Sequence, residues 1–255
     1  MKKLFKSLIR KAGFRVSRIY MGESWFVFDE SCQIPYLSEI YEHFFGADSS
    51  GFLVEVGAFD GISYSNSSGL LSRGWSGLLV EPVPIFAEKC VTRYQDYPKV
   101  AIENCAISNF QGVAQLDLAG PLSTLDRNSI LEYQQLAWAK PSLQNRSITV
   151  ETKTLDTLLR EKGVRPSFEL LIVDVEGHEE MVFQGFDIQA WRPKMLIIEL
   201  VDHHPTLRTL RKGHFTLRKK LENDGYSIVY KDAINTIFVE NNFLTSSFSD
   251  PHSSL

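Results

Sequence analysis

The stretch of the chain that decides the fold is Phe52-Leu-Val-Glu-Val-Gly-Ala-Phe-Asp-Gly61. Its first five residues are mostly apolar and predict a buried strand. Gly57 lets the chain leave the sheet sharply, and Gly61 lets the backbone approach a ligand where a Cβ atom would collide. Asp60 tolerates turn conformations and offers a carboxylate to a hydroxyl or an ammonium group. A strand followed by such a turn predicts the nucleoside pocket of an open α/β sheet.

The spacing of the glycines indicates which nucleoside this pocket would take. Dinucleotide sites favour G-x-G-x-x-G, because a pyrophosphate lies against the helix N-terminus. Here the pattern is Glu55-x-Gly57-x-x-x-Gly61 with Ala58 after the first glycine, and no G-x-x-x-x-G-K-[ST] triphosphate loop occurs. We therefore predict a nucleoside that has no phosphates and carries a charged amino-acid tail, with S-adenosylmethionine as the candidate.

A second strand strengthens this interpretation. Gly77-Leu-Leu-Val-Glu81-Pro82 places a carboxylate at the C-terminal end of a strand, where open α/β sheets bind ligands. A carboxylate can accept hydrogen bonds from both ribose hydroxyls, whereas the alternative is a structural turn with a surface glutamate. The third strand ends near Asn104, so that Glu103 or Asn104 could meet the adenine edge. The predicted cofactor residues in these turns are Glu55, Gly57, Ala58, Asp60, Gly61, Asn66, Glu81, Pro82, Asn104 and Ala106.

The chain resembles the FkbM family of S-adenosylmethionine-dependent methyltransferases over about residues 51–240. The resemblance is carried by five runs, which are Glu55 to Asn66, Gly74 to Pro82, Thr154 to Leu159, Leu171 to Glu179 and Phe183 to Phe186. Val173 stands where many relatives carry Lys, so any role of that Lys is absent or filled by another residue. The resemblance implies a Rossmann-like class I methyltransferase fold and a natural-product, sugar or surface-polysaccharide acceptor.

Apolar runs alternate with helical periodicity along most of the chain, which predicts an α/β fold with a parallel sheet and helices on both faces. The last two strands, within residues 226–240, are too close in sequence for a crossover and must pair antiparallel. We therefore expect a mostly parallel seven-stranded sheet with an antiparallel C-terminal hairpin. The predicted units are a basic helix and lead-in helix (1–48), a methyltransferase domain (49–245) with an insertion at about 110–152, and a polar tail (246–255). Within the insertion, residues 120–146 are polar and irregular, apart from helical spacing at residues 130–138 that predicts a short helix. We expect this region to shape or cover the acceptor site.

The run Asp174-Val-Glu-Gly-His-Glu179 follows the fourth predicted main-sheet strand and carries the candidate catalytic groups. Asp174 and Glu176 are two residues apart and would share one face of an extended chain. His178 titrates near neutrality and is the candidate base for the acceptor hydroxyl. The alternative is that His178 and Glu179 only cap the next helix, where the dipole favours acids. We also assign Asp174 to the cofactor.

A metal site is a second hypothesis for the same edge of the sheet. The fifth main-sheet strand ends in Glu199-Leu-Val-Asp202-His203-His204, and neighbouring strand ends would bring Asp174, Glu199 and His203 together. Carboxylates with one His suit Mg²⁺ or Mn²⁺, which could orient and acidify a sugar hydroxyl. The alternative is that the paired histidines cap a helix.

The charge distribution limits the partners. The chain of 255 residues has a net charge of −4, which argues against nucleic acid as a partner, yet its first 22 residues hold seven cations and no acid. Residues 1–20 predict a basic amphipathic helix that packs on its own domain or rests on an anionic membrane surface. The basic face of residues 206–224 is read as solvated, or alternatively as an anion site.

Three unclustered cysteines suit a reducing compartment, and the run at the N-terminus lacks the apolar core of a signal peptide. We therefore predict a cytoplasmic enzyme, with contact at the inner membrane surface and a homo-oligomer left open. Its predicted activity is O-methylation of a hydroxyl on a small-molecule or glycan acceptor. Two rivals remain open, which are a nicotinamide-dependent oxidoreductase and a non-catalytic nucleoside-binding subunit.

Overall fold

Ten strands form the two sheets of the protein, as a computed structural model describing residues 28–46 and 50–249 shows. In chain order they are β1 Phe52–Val56, β2 Ser76–Val80, β3 Val100–Glu103, β4 Ala106–Ile107, β5 Gly112–Leu118, β6 Arg146–Lys153, β7 Leu170–Val173, β8 Met195–Glu199, β9 Tyr226–Lys231 and β10 Asn235–Glu240. The predicted basic helix of residues 1–20 and most of the polar tail lie outside the described residues.

The main sheet has seven strands in the order β3-β2-β1-β7-β8-β10-β9. Strands β1, β2, β3, β7 and β8 pair in parallel. Strand β10 runs antiparallel to both β8 and β9. The short link between β9 and β10 leaves no room for a crossover, which is why the predicted hairpin forms. This topology confirms the predicted fold class, which is a mostly parallel seven-stranded sheet with an antiparallel C-terminal hairpin.

Helices cover both faces of the main sheet. Within the described residues they are α1 Leu37–Phe45, α2 Ser68–Ser72, α3 Pro84–Arg93, α4 Arg127–Tyr133, α5 Leu155–Glu161, α6 Glu179–Gln184, α7 Ile188–Trp191, α8 Arg211–Asn223 and α9 Asn241–Ser249. Helices α2 and α8 begin later than their helical patterns, which start at about residues 64 and 206. In both cases a side chain accepts from the backbone N–H groups just before the helix. The Oγ atom of Ser65 accepts from the N–H groups of Ser67 and Ser68 ahead of α2. The Nδ1 atom of His204 accepts from those of Thr206 and Leu207 ahead of α8.

Alternate strand residues enter two separate apolar cores, as the period of two along a strand requires. Val54, Val56 and Leu171 pack with residues of α5, α6 and α8 on one face. Leu53 and Leu170 pack with residues of α1, α2 and α3 on the other. These two cores fix the strand ends whose loops carry the site. No helix among the described residues has the length and apolar character needed to cross a bilayer.

The predicted insertion builds a sheet of its own. Strands β4, β6 and β5 pair in that order, with β5 antiparallel to β6 along its whole length. The irregular stretch between β5 and β6 holds α4 and two short 3₁₀ turns, Gly120–Leu122 and Lys140–Ser142. The helical periodicity at residues 130–138 therefore marks a real helix, which begins three residues earlier, because the side chain of Asp126 accepts from the N–H groups of Asn128 and Ser129. The insertion thereby gains a defined structure beside the main sheet.

Candidate active site

A cavity of about 320 Å³ lies where the turns after β1, β2 and β7 meet the insertion. The two turns of the predicted cofactor site contribute Glu55, Gly57, Ala58, Asn66, Glu81 and Pro82 to its wall, and Ala106 comes from β4. Asp174, Glu176 and His178 line the same cavity. The insertion supplies a third wall, with Leu116, residues 120–125, Trp138 and Ser142. The tertiary structure thus brings two predicted features to one cavity. They are the cofactor wall, formed by the turns after β1 and β2, and the catalytic turn of residues 174–178.

Gly57 allows β1 and β7 to end close together. Its φ is +92°, and a Cβ atom there would lie 1.7 Å from the carbonyl oxygen of Asp174. The N–H groups of Gly57 and Ala58 both donate to the carbonyl of Val80, at 2.9 and 3.1 Å. Because no side chain fits at position 57, the turn after β1 is drawn across the end of β2 and beside the catalytic turn.

Glu81 holds the turns after β1 and β2 together through hydrogen bonds to the backbone. Its Oε2 accepts from the N–H of Phe59 at 2.9 Å, and its Oε1 accepts from the N–H of Val83 at 2.8 Å. Burial raises the pKa of Glu81 to about 7, against the lowering effect of those two hydrogen bonds. Each carboxylate oxygen can accept a second hydrogen bond, so both remain able to receive a ribose hydroxyl.

Glu55 is the second buried acid of this wall. It is 4% exposed, and its Oε2 accepts from the hydroxyl of Ser67 at 2.6 Å. Burial raises the pKa of Glu55 to about 7, and the nearby charge of Asp174 raises it further against the effect of the Ser67 bond. Within the described part of the chain this carboxyl has no positive partner, so a ligand ammonium group placed here would be favoured.

Three predicted cofactor residues lie outside the cavity wall and have structural roles. Asp60 accepts from the N–H groups of Ile62 and Ser63 and so closes its own turn. Gly61 is needed because a Cβ atom would lie 2.9 Å from the ring of Tyr94, so the close approach is to α3 and not to a ligand.

Asn104 is the third of these residues. Its Nδ2 donates to the backbone carbonyls of Glu81 and Pro82, at 2.8 and 3.1 Å. The amide thus ties the end of β3 to the end of β2. Asn104 itself does not line the cavity, whereas Ala106 and Ile107 do, and the adenine contact of Asn104 stays a prediction.

Three carboxylates meet at the catalytic turn. Oxygen atoms of Asp174, Glu176 and Glu199 lie within 4.8 Å of one another. Burial, together with the charge of Glu179, raises the pKa of Asp174 to about 7. Burial, together with repulsion from the neighbouring acids, holds the pKa values of Glu176 and Glu199 well above their usual range. Because the pKa values of Asp174 and Glu199 are both raised, a proton held between these two acids would reduce their repulsion. The three oxygens are also a donor set that Mg²⁺ or Mn²⁺ accepts.

His203 is not part of this cluster, which corrects the predicted metal ligands. Its side chain is 66% exposed and lies 3.6 Å from the carboxylate of Asp202. Asp202 in turn is held by Arg218 and Lys231, at 2.7 and 2.6 Å. This ion-pair group draws the chain after β8 away from the catalytic turn, and Glu176 takes the position expected for the histidine.

The Asp202 group also bears on the basic face of residues 206–224. Arg218 and Lys219 both pair with Glu222, and Lys220 pairs with Asp224. These contacts support the reading of a solvated helix face over that of an anion site.

Glu176 has a partner that sequence reasoning missed. The hydroxyl of Tyr133, from α4 in the insertion, donates to Oε2 of Glu176 at 2.6 Å. Tyr133 is 2% exposed, and burial together with the charge of Glu176 raises the pKa of its hydroxyl far above the ordinary value. The hydroxyl therefore remains a donor. The helical periodicity around Tyr133 predicts the helix. It does not predict the contact with Glu176, because the two residues are 43 positions apart in the chain.

His178 lines the cavity with a neutral ring. Its Nε2 lies 2.9 Å from the hydroxyl of Ser108, and burial lowers its pKa against the raising effect of nearby acids. A neutral imidazole can accept a proton, as a general base must. Ser108 follows β4, so the inserted sheet also orients this side chain.

The interpretation of Glu179 as a capping acid is extended by the structure. Its Oε1 accepts from the N–H groups of Val175 and Gly177, at 3.0 and 3.2 Å. Its Oε2 lies 2.9 Å from Nε2 of His214, whose Nδ1 accepts from the N–H of Val201. Because Nδ1 accepts from the N–H of Val201, Nε2 carries the ring hydrogen and donates it to Glu179. The carboxylate of Glu179 thus fixes the backbone of the turn at residues 175–177.

A family model described as the methyltransferase FkbM domain matches residues 55–228. The chain belongs to the FkbM methyltransferase family. This confirms the family resemblance of its motifs, and it makes the protein an S-adenosylmethionine-dependent methyltransferase. Family membership also favours the methyltransferase over the nicotinamide-dependent oxidoreductase.

Solved structures with similar folds are distant from this FkbM protein in sequence. An O-methyltransferase from Bacillus cereus in complex with SAH shares 11% identity at a TM-score of 0.45, over 94% of this chain and 90% of that one. The METTL16 methyltransferase domain shares 10% identity at a TM-score of 0.47, over 93% and 78% of the two chains. Monomeric WbdD shares 14% identity at a TM-score of 0.43, over 88% of this chain and 45% of that one. A search by sequence among curated proteins finds no match.

Proposed function

We propose that this protein transfers the methyl group of S-adenosylmethionine to a hydroxyl of a sugar, glycan or natural-product acceptor. The observation that carries the proposal is that one cavity is lined both by Glu55, Gly57 and Glu81 and by the acid–base groups Glu176 and His178. An O-methyltransferase needs this combination, because its acceptor hydroxyl must lose a proton beside the methyl donor.

The residues of the cavity fit the cofactor. When bound, S-adenosylmethionine supplies a methyl group activated by its own sulfonium charge. Glu81 retains acceptor capacity for two ribose hydroxyls. Glu55 is buried and Asp174 is half-buried, and no cation of the described residues pairs with either acid, so they suit the ammonium group of the amino-acid tail. Ala106 and Ile107 give the apolar surface that an adenine ring requires.

Two groups of the chain can take the proton from the acceptor. His178 is neutral because burial lowers its pKa, and it faces the cavity with Ser108 on its Nε2. Glu176 lies on the same wall, held by Tyr133. A positioned base contributes about 10²–10⁴-fold, and alignment of donor and acceptor supplies much of the remainder.

The walls of the cavity support a sugar-like acceptor. Tyr64 and Trp138 both line it while remaining 47% and 56% exposed, so their rings can receive the C–H face of a sugar at the mouth. The cluster of Asp174, Glu176 and Glu199 consists of acids and offers a phosphate group no cationic partner, which disfavours a phosphate-rich acceptor. The insertion, which provides Trp138, is the part that would distinguish one acceptor from another.

An acceptor panel with radiolabelled S-adenosylmethionine tests the proposal. Methyl glycosides of hexoses and deoxyhexoses, a catechol and a transfer RNA would be offered to the purified protein. We expect label in a glycoside, loss of transfer in His178→Asn, and retention in the control His43→Asn, whose exposed ring lies on α1. Transfer to RNA alone, or methylation at nitrogen or carbon, would refute the hydroxyl assignment. Thermal stabilisation by NAD⁺ and not by S-adenosylhomocysteine would instead refute the cofactor.

A further inference from the structure

The insertion contacts the turn of residues 174–178 at three consecutive positions. The hydroxyl of Thr124 donates to the carbonyl of Val175 at 3.3 Å. The hydroxyl of Tyr133 donates to the carboxylate of Glu176 at 2.6 Å. Ser129 packs on the next residue so closely that a Cβ atom on that glycine would lie 2.2 Å from its Oγ. The insertion is thus fitted to this turn.

The turn has a backbone that needs such support. Glu176 has a φ of +56°, in the left-handed region that residues with a Cβ atom rarely adopt. Gly177 follows with a φ of +100°. Such conformations persist where the surrounding contacts determine them, and they concentrate at functional sites. The direction of the Glu176 side chain therefore depends on what holds its carboxylate.

Tyr133 also contacts a second wall of the cavity. Its ring centroid lies 6.0 Å from that of Trp138, with the planes inclined at 60°. Trp138 lines the cavity on the insertion side, whereas Glu176 lines it on the side of the sheet. One buried residue thus touches both an acid of the catalytic turn and an aromatic residue of the acceptor wall.

We propose that Tyr133 is a positioning residue of the active site, which acts through Glu176 by holding its carboxylate at the cavity wall. The hydroxyl sets the carboxylate, and the ring supports Trp138, so the two functions can be separated by substitution. What Glu176 then does for methyl transfer rests on the proposed function, whereas the positioning itself does not.

Two cofactor analogues provide a test that needs no acceptor. S-adenosylhomocysteine is neutral at its sulfur, whereas sinefungin carries an amine at the position of the transferred methyl group. A carboxylate held near that position favours sinefungin. We expect Tyr133→Phe, which keeps the ring, to reduce the ratio of sinefungin affinity to S-adenosylhomocysteine affinity by up to about 10-fold, as for one lost hydrogen bond.

Calorimetry on five proteins, which are the wild type, the variants Tyr133→Phe, Glu176→Gln and Tyr226→Phe, and the double variant of positions 133 and 176, distinguishes positioning from general stability. In a Glu176→Gln background, Tyr133→Phe should reduce the ratio no further, because both changes act on one group. Tyr226→Phe is the matched control, since that buried hydroxyl donates to the carbonyl of Pro193 at 2.9 Å, away from the cavity. It should lower stability and leave the ratio unchanged. An equal loss in the Glu176→Gln background, or a ratio for Tyr133→Phe like that of Tyr226→Phe, would overturn the proposal.

Crystal structures of the wild type and Tyr133→Phe make the outcome independent of the cofactor assignment. We expect the Glu176 carboxylate to leave the cavity wall in the variant while Trp138 keeps its place. If the carboxylate stays, the positioning role is refuted, whatever the protein binds. If neither analogue binds the wild type but the carboxylate moves, the cofactor assignment fails and the positioning role stands.

Discussion

Replacing Glu55 by Gln should make the protein more stable at alkaline pH while it weakens cofactor binding. Glu55 is buried, and burial raises its pKa from 4.5 to about 7. The folded state therefore prefers the protonated acid. The contribution of this acid to stability is fully present below pH 4.5 and is lost as the pH rises through about 7, because the unfolded chain releases its proton first.

The size of the effect follows from that difference. A rise in pKa of about 2.5 corresponds to about 3 kcal/mol of stability withheld at pH 8. Gln removes the penalty and keeps an oxygen for the hydroxyl of Ser67, which now donates at 2.6 Å. We take about 3 kcal/mol as the upper limit, which corresponds to roughly 6–12 °C in Tm for a chain of this size.

The assay is urea unfolding of wild type and Glu55→Gln at pH 5, 6, 7 and 8. The advantage of the variant in free energy of unfolding should be smallest at pH 5, should grow mainly between pH 5 and pH 7, and should change little from pH 7 to pH 8. Glu88→Gln, on an exposed face of α3, controls for loss of a surface charge. A difference between wild type and variant that does not change with pH would refute the reasoning. Binding of S-adenosylhomocysteine to Glu55→Gln should be weaker by about 10-fold, because its ammonium group loses an anionic partner.

Three further outcomes are expected. Gly57→Ala should destabilise the fold by about 2–5 kcal/mol, because a Cβ atom meets the carbonyl of Asp174, whereas Gly74→Ala, at a φ of +90° in open space, should cost only about 1–2 kcal/mol in thermal unfolding. Asp202→Asn should cost about 3 kcal/mol at pH 7. Burial raises the pKa of Asp202, but the hydrogen bonds from Lys231 and Arg218 outweigh it and lower this pKa below 3.8. The stability difference between wild type and variant should therefore disappear as the pH falls through that lowered pKa, which acid titrations of stability would measure. Exhaustive chelation followed by the transfer assay should leave activity intact if the three clustered carboxylates hold a proton, and Mg²⁺-dependent recovery would show instead that they hold a metal.

Features that depend on nearby residues could be predicted from the sequence. The strand of residues 52–56, its glycine turn and the acid at position 81 each follow from local periodicity, from the conformational freedom of glycine and from the position of a strand end. The hairpin of β9 and β10 follows in the same way, because a short link forces antiparallel pairing. These features gave the fold class and the family.

The reasons for individual residues often could not be predicted. Gly61 looked like a contact for a ligand, but it is required by the ring of Tyr94. Asn104 looked like an adenine contact, but it binds the backbone at the end of β2. A sequence shows that a residue is suited to close approach or to hydrogen bonding, while its partner depends on the helix or strand that packs against it.

From the sequence alone, the glycine turn after β1, the acid at position 81 and the acidic turn of residues 174–178 could be placed at one edge of a parallel sheet. Alternating strands and helices give parallel strands, whose carboxyl ends lie at the same edge. Only the tertiary structure decided which side chains meet at that edge. It brought Glu176 in place of His203 to Asp174 and Glu199, and it brought Tyr133 from the insertion to Glu176. The physical reason is that these contacts join residues far apart in the chain, and packing of the two cores and of the insertion sets their distances, which no local pattern encodes.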